Sequence, residues 1–365
     1  MNPNELLFFS VFISVITGVL LLDLGVFDRK NHIVAFRESL IMTIVWVSVS
    51  LAFYVLMIFH GDWIHMGGKG SLEEIHQLIS KYGHPINIDG LDYSSAISVY
   101  NNNLALEFLT GYLIEKALSV DNIFVMVMVF YAFHVEPRYY RRVLFWGILA
   151  AIVLRFIFIF SASAILLRFE WVLYIFGILL VYTGIRMFIT RNKEEKIEVK
   201  THPVVKFASK HFPVYPIFVR HHFFIRKDGK LYLTPLFIVL MVIEFSDLIF
   251  AVDSIPAIFS VTMDPYMVFF SNVFAILGLR ALFFMVVNVI DLFRYLKTGL
   301  SFLMVFIGVK MLVGHWLKEA GFTTAHSLYI ILFILGVSIL ASIFFPEKKP
   351  SVLRMKRLQK SEGKK

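Results

Sequence analysis

The sequence contains no cysteine. Disulfides, thiolate metal sites and cysteine nucleophiles are therefore excluded together. Charged residues are scarce, at 17% against roughly 25% in an average soluble protein. Enzymatic signatures are missing too: there is no HExxH zinc motif and no Ser/Lys or Ser/His pair in a catalytic setting. No Lys or Arg precedes the first apolar run and no small-residue cleavage site follows it, so that run is expected to be a retained span rather than a signal peptide. What fills the chain instead is apolar. Of 365 residues, 58% are hydrophobic, and the mean hydropathy is +0.76. A disordered chain and a soluble enzyme are both disfavoured.

Apolar runs of about 20 residues, the length a helix needs to cross a bilayer, recur at roughly 5–27, 39–59, 104–133, 143–167, 170–189, 234–261, 265–288, 299–316 and 325–345. The expected fold is an all-α polytopic membrane protein with nine transmembrane helices. Lys and Arg between the runs alternate strongly. One side holds 26 of them, in residues 28–38, 134–142, 190–233, 289–298 and the tail from 346; the other side holds Lys69, Lys81, Arg168 and Lys318 alone. By the positive-inside rule the N-terminus is outside and the C-terminus cytoplasmic. The formal charge of +9 is thereby assigned to topology, and no nucleic-acid partner is expected.

Two segments resemble each other. "EKALSVDNIF" (115–124) aligns with "DLIFAVDSIP" (247–256), matching Glu115 with Asp247, Asp121 with Asp253 and Asn122 with Ser254. The following runs also match, "GILAAIVLR" ending at Arg155 with "NVFAILGLR" ending at Arg280, and "TGIRM" (183–187) with "IGVKM" (307–311). Each unit has three spans, an odd number, so the second copy enters the membrane from the opposite side. The expected divisions are two helices and an acidic external loop over 1–103, a first three-helix unit over 104–189, a basic cytoplasmic loop over 190–233, a second unit over 234–316, and a last helix with a basic tail over 317–365.

Seven carboxylates fall inside these runs: Asp23, Glu107, Glu115, Asp121, Glu244, Asp247 and Asp253. An Asp at the centre of a span costs roughly 2.5–3.5 kcal/mol on insertion scales, which marks such residues as functional by default. Asp23 and Glu107 lie near run ends, within reach of water. The other five mark the repeat centres. Glu244 and Asp247 share a helix face, whereas Asp253 lies about 120° from Asp247 on a straight helix. Pro256 frees the carbonyl of Val252, and a local break there would turn Asp253 toward the other acids. Carboxylates, Asn122, Ser254 and backbone carbonyls form an oxygen-only donor set suited to Mg²⁺, Ca²⁺ or Mn²⁺. Arg155 and Arg280, at equivalent places, are expected to compensate the acids' charge. No permanently bound cofactor and no enzymatic activity are expected.

"LTGYLIEKALSVDNIFV", "EFSDLIFAVDSIPAIF" and "DLGVFDRK" (23–30) resemble the TerC family, including its Alx branch, as do "LFWGILAAIVLRFIFI" and "SNVFAILGLRALFF". The resemblance extends from about residue 20 to 316. It implies a LysE-like exporter of Mn²⁺ from the cytoplasm, exchanging the metal for protons across a bacterial inner membrane. It also implies metal ligands at Glu115, Asp121, Glu244, Asp247 and Asp253, accompanied by Asn122 and Ser254. The partners implied are a divalent cation, protons and the lipid bilayer. A non-transporting scaffold for metallation of translocated proteins and an exporter of another cationic solute are the rival expectations.

Overall fold

The structure is a computed structural model describing residues 3–27, 35–68, 70–169, 171–191, 202–219, 222–227, 229–289 and 295–345. The basic tail, part of the 190–233 loop and the side chain of Asp23 lie outside the described residues.

Among the described residues thirteen α-helices and one β-hairpin follow in order. Helices α1 (Pro3–Phe27) and α2 (Phe36–His60) precede a short 3-10 turn at Gly61–Trp63. Helix α3 (Leu72–Tyr82) begins at a capping box between Ser71 and Glu74 and ends at Gly83, whose φ of 64° is the left-handed conformation that favours glycine. The first expected unit comprises α4 (Tyr93–Ala132), α5 (Pro137–Leu166) and α6 (Val172–Thr190). Helix α7 (Pro203–His211) and the antiparallel hairpin β1 (Phe224–Lys227) and β2 (Lys230–Leu233) lie in the basic loop. The second unit is α8 (Pro235–Phe259), α9 (Pro265–Leu277) with α10 (Leu279–Val289), and α11 (Leu296–Leu312). Helices α12 (Gly314–Glu319) and α13 (Thr324–Phe344) follow. Both α8 and α9 start with proline behind a capping side chain, Thr234 and Asp264 respectively, where a missing N–H costs nothing.

The architecture is all-α and polytopic. Among the described residues six helices are long and apolar enough to cross a membrane, or seven if α9 and α10 count as one bent span. The nine expected spans also include α4 and α11. Helix α4 carries Glu107, Glu115, Lys116 and Asp121, and α11 has only 17 residues, which is why neither meets the same criterion.

Helix α9 is the core: every one of its residues is buried. It packs against α4 and α5, and Phe269, Phe270 and Phe274 join Phe9, Phe12, Phe53 and Phe108 in one aromatic cluster. The bundle's outer surface is apolar instead. Ile178, Tyr182 and Ile189 on α6 and Phe333 and Phe344 on α13 are all well exposed. Such continuous apolar surface fits lipid rather than water.

Helices α6 and α11 are held in backbone contact by small residues. A Cβ at Gly308 would lie 2.7 Å from the Gly177 carbonyl oxygen, and one at Gly184 would lie 2.9 Å from that of Ser301. With the 124-residue offset of the sequence repeat, Gly177 corresponds to Ser301 and Gly184 to Gly308. The two contacts are thus equivalent under exchange of the helices.

The local break at Pro256 that would turn Asp253 toward the other acids is not formed. Helix α8 runs through the proline to Phe259, because Pro256 sits in the last turn, where few intrahelical bonds remain to be lost. Helix α4 is also continuous through Leu118 and Ser119. The bend occurs at Gly278, where α9 and α10 meet at 43°. Lys116 reaches this bend and donates to the Ala275 carbonyl at 3.3 Å. A Cβ at Gly278 would stand 2.6 Å from its ammonium.

Candidate functional site

The two repeat centres meet where α4, α5, α8 and α9 come together. Arg155 on α5 is the link. Its Nη1 donates to Glu115 Oε1 on α4 and, at 3.0 Å, to Asn272 Oδ1 on α9. Its Nη2 donates to Asp247 Oδ1 on α8 at 3.1 Å, with Nε 3.4 Å from the other oxygen. Asn272 Nδ2 donates to Glu115 Oε2 at 3.2 Å, and Asn122 Nδ2 donates to Asp247 Oδ1 at 3.3 Å. All five side chains are buried. The pair Glu115 and Asp247, matched in the sequence repeat, thus shares one guanidinium. The planar donor fork of Arg suits this double engagement, which a Lys ammonium cannot reproduce.

Glu244 stands one turn from Asp247 against α5. A Cβ at Gly147 would lie 3.0 Å from its Oε1, so glycine there makes room for the carboxylate. Glu244, Asp247 and Arg280 line a narrow cavity between α5, α8 and α10. Arg280 is buried as α10 begins. Of the expected ligands, Asn122 Oδ1, Glu244 Oε2 and Ser254 Oγ are buried with no hydrogen-bond partner among the described residues. Unsatisfied buried acceptors are rare in proteins, and these are suited to ligating a hard cation.

The structure does not bring all five acids to one point. Asp121 and Asp253 each lie six residues beyond their repeat-centre acid, about 9 Å along a helix axis. Helices α4 and α8 start from opposite ends of the bundle. Helix α5 runs back from the end where α4 finishes, and Arg142 near its start lies over Phe223, just before the hairpin that leads into α8. Asp121 is therefore displaced toward the hairpin end and Asp253 toward the other. Asp121 lies 3.8 Å from Lys297 at the start of α11, and Asp253 is half-buried. Among the described residues no group of three or more His, Asp or Glu side chains is placed to hold a metal ion.

Asn272 and Lys297 were not singled out in the sequence. Asn272 stands inside the quoted "SNVFAILGLR" as a polar residue in an apolar run, at the place held by Gly147 in the first unit. That was the available signal. Lys297 gave none, being one of two basic residues in a short connection.

At the far end of the bundle from the hairpin a second polar network is buried. His65 is bridged by Glu5 at 3.0 Å and Asp264 at 2.8 Å, and Tyr266 donates to Glu5 at 3.1 Å. Burial alone would lower the His65 pKa, but Asp264 and Glu5 outweigh it and hold the ring at about 9.

Comparison with known proteins agrees with this architecture. Residues 100–350 match the family described as integral membrane protein TerC. An uncharacterized membrane protein from Myxococcus xanthus is 42% identical over 93% of this chain and 93% of its own length. A Salmonella typhi protein named as a membrane-bound redox modulator, Alx, is 47% identical over 68% of this chain and 76% of its own. An Escherichia coli protein of that name is 42% identical over 83% and 84%. No solved structure matches the chain. With a family match over most of its length and relatives sharing two-fifths of their residues with it, the chain belongs to the TerC family of integral membrane proteins.

Proposed function

We propose that this protein exports divalent cations from the cytoplasm, Mn²⁺ foremost among them by the family resemblance, in exchange for protons. The observation that carries this reading is the Arg155 bridge between Glu115 and Asp247. Two carboxylates buried side by side repel each other and demand a counter-charge. Arg155 supplies one when no ion is bound. A divalent cation arriving at the same oxygens competes with the guanidinium, and the buried acceptors of Asn122 and Glu244 are at hand to complete its shell. When the ion leaves, Arg155 or a proton restores neutrality, so the empty site is tolerable in the membrane interior.

The inverted-repeat reading and the nine-span topology support alternating access. The equivalent Gly177–Gly308 and Gly184–Ser301 contacts and the opposite displacements of Asp121 and Asp253 fit two units related by a two-fold axis in the membrane plane. On this reading Asp121 faces the cytoplasmic approach and Asp253 the external exit. The protein sits in the bacterial inner membrane with its N-terminus outside. The relatives' redox-modulator name fits metal supply better than thiol chemistry in this chain, which has no cysteine.

The deciding experiment is metal flux in proteoliposomes with an imposed pH gradient. Proton-driven Mn²⁺ movement is expected, abolished in Asp121→Ala and in Asp253→Ala with membrane insertion intact. Normal efflux from both variants overturns the site, and a metallation scaffold moves no metal at all.

A further inference from the structure

A cavity of about 160 Å³ opens at the end of the bundle opposite the hairpin, lined among others by Tyr82, Glu107, Thr262, Lys310, Met311 and Thr324. Glu107 enters it from α4 with its side chain fully buried. Its Oε1 takes hydrogen bonds from His84 Nδ1 at 2.8 Å and Asn103 Nδ2 at 2.7 Å. Its Oε2 has no hydrogen-bond partner among the described residues. The His84 ring is equally buried, and its Nε2 has none either.

A pair kept only for structure would satisfy both ends. Here each partner uses one atom on the other and leaves one over, and Glu107, with Gly83 and Pro85 on either side of His84, lines a cavity roomy enough for water. With Glu107 ionised, His84 Nδ1 carries the proton it donates. The ring's Nε2 is then open to a second proton, and Glu107 Oε2 is the alternative acceptor.

Glu107 lies on the same stripe of α4 as the buried site. Glu107, Gly111 and Glu115 follow at intervals of four, placing Glu115 about 12 Å along the axis from Glu107. Gly111 fills the interval. A Cβ there would meet Ser271 Oγ on α9 at 2.8 Å and Ile258 on α8 at 2.9 Å. The next residue on α9, Asn272, already bonds Glu115. One tight helix contact therefore separates the cavity from the buried acids.

We propose that His84 and Glu107 form an outer proton-binding station, loaded from water in this cavity and supplying the protons exchanged for the cation at Glu115 and Asp247. This rests on the export reading above. The groups facing His84 are Tyr82 on its own segment, Tyr100 and Glu107 on α4, and, further off, Asp264 and His65; Lys310 of α11 lines the same cavity. Burial pulls the ring's pKa down, but Glu107 and then Asp264 more than offset it, so His84 is held above its ordinary value.

Mn²⁺ efflux from proteoliposomes, measured against the pH on the cavity side, tests the station. In the wild type efflux rises as that side is acidified. His84→Gln and Glu107→Gln keep hydrogen-bonding side chains but lose the station. Each is expected to shift the half-maximal proton concentration at least tenfold while leaving the KM for Mn²⁺ on the opposite side unchanged. A purely structural role would lower the rate at every pH without moving that midpoint, and an unmoved midpoint in both variants overturns the proposal. Because the chain has no cysteine, Met311→Cys gives a single thiol in the cavity wall. A membrane-impermeant thiol reagent should modify it from the cavity side, and a thiol that stays unmodified overturns the water access. A wild type that moves no Mn²⁺ at any pH overturns the export reading and the station together, whereas flux with unmoved midpoints removes the station alone.

Discussion

Arg155 is buried with two carboxylates on its guanidinium, and truncating it would leave both of them uncompensated. Breaking a buried ion cluster by removing one partner costs about 3–5 kcal/mol. Arg155→Met is therefore expected to melt well below the wild type in detergent. If cation and guanidinium compete for the same oxygens, added Mn²⁺ should recover more of this loss in Arg155→Met than it adds to the wild type. Equal Mn²⁺ effects on the two proteins would place the ion elsewhere. His65 offers a pH-dependent counterpart at the far end of the bundle. Its pKa is raised from the ordinary 6.5 to about 9 by Asp264 and Glu5, against the pull of burial. A group bound more tightly to its proton in the folded state stabilises it fully below the unfolded pKa, and the contribution is lost as pH rises through the folded one. The melting temperature should therefore fall as pH is raised through about 9, and His65→Gln should flatten that decline. A wild-type curve level to pH 10 would mean that His65 is neutral within its carboxylate pair.

At the scale of helices, glycine placement discriminates packing from mere composition. Gly308 faces the Gly177 carbonyl too closely for any Cβ, whereas nothing lies within 4 Å of a Cβ built at Gly336 on α13. Gly308→Ala should destabilise by ~1–3 kcal/mol through forced separation of α6 and α11. Gly336→Ala should be neutral or gain up to ~1 kcal/mol from helix propensity. Thermal unfolding of the two variants side by side checks the contrast, and equal behaviour would deny the close α6–α11 approach. The bend at Gly278 belongs to this scale too. The sequence offers Pro256 as a candidate breaker, because proline is the strongest local signal. The helix end is decided instead by whether following residues can still pack, and Pro256 falls where the helix is finishing. At Gly278 the half-buried Lys116 ammonium takes the space of a side chain and satisfies a carbonyl near the bend.

For the whole molecule, the asymmetry of Lys and Arg predicts which loops face the cytoplasm. Single cysteines introduced into this cysteine-free chain test it. Lys81→Cys, ahead of the cavity end, should react with an impermeant thiol reagent on intact cells, and Lys210→Cys on α7 only after permeabilisation. The reverse pattern would invert the topology and with it the direction assigned to transport.

Apolar run length, the side carrying Lys and Arg, and the repeat of acids and arginines are local or additive properties, so the sequence by itself determined the polytopic helical architecture, the family and the pairing of Glu115 with Asp247. Helical periodicity even indicated that Asp253 points away from Asp247. What lay beyond it were relations between helices. Arg155 and Arg280 read alike in the sequence, and it is Arg155 that α5 carries between α4 and α8, where it bridges the two repeat centres. Asn272 gains its role from a partner 157 residues away. His84 and Glu107, 23 residues apart in the chain, become a buried pair only when α3 folds back against α4. Such contacts depend on crossing geometry and depth of burial, which no window along the chain encodes, and the tertiary structure alone decided them.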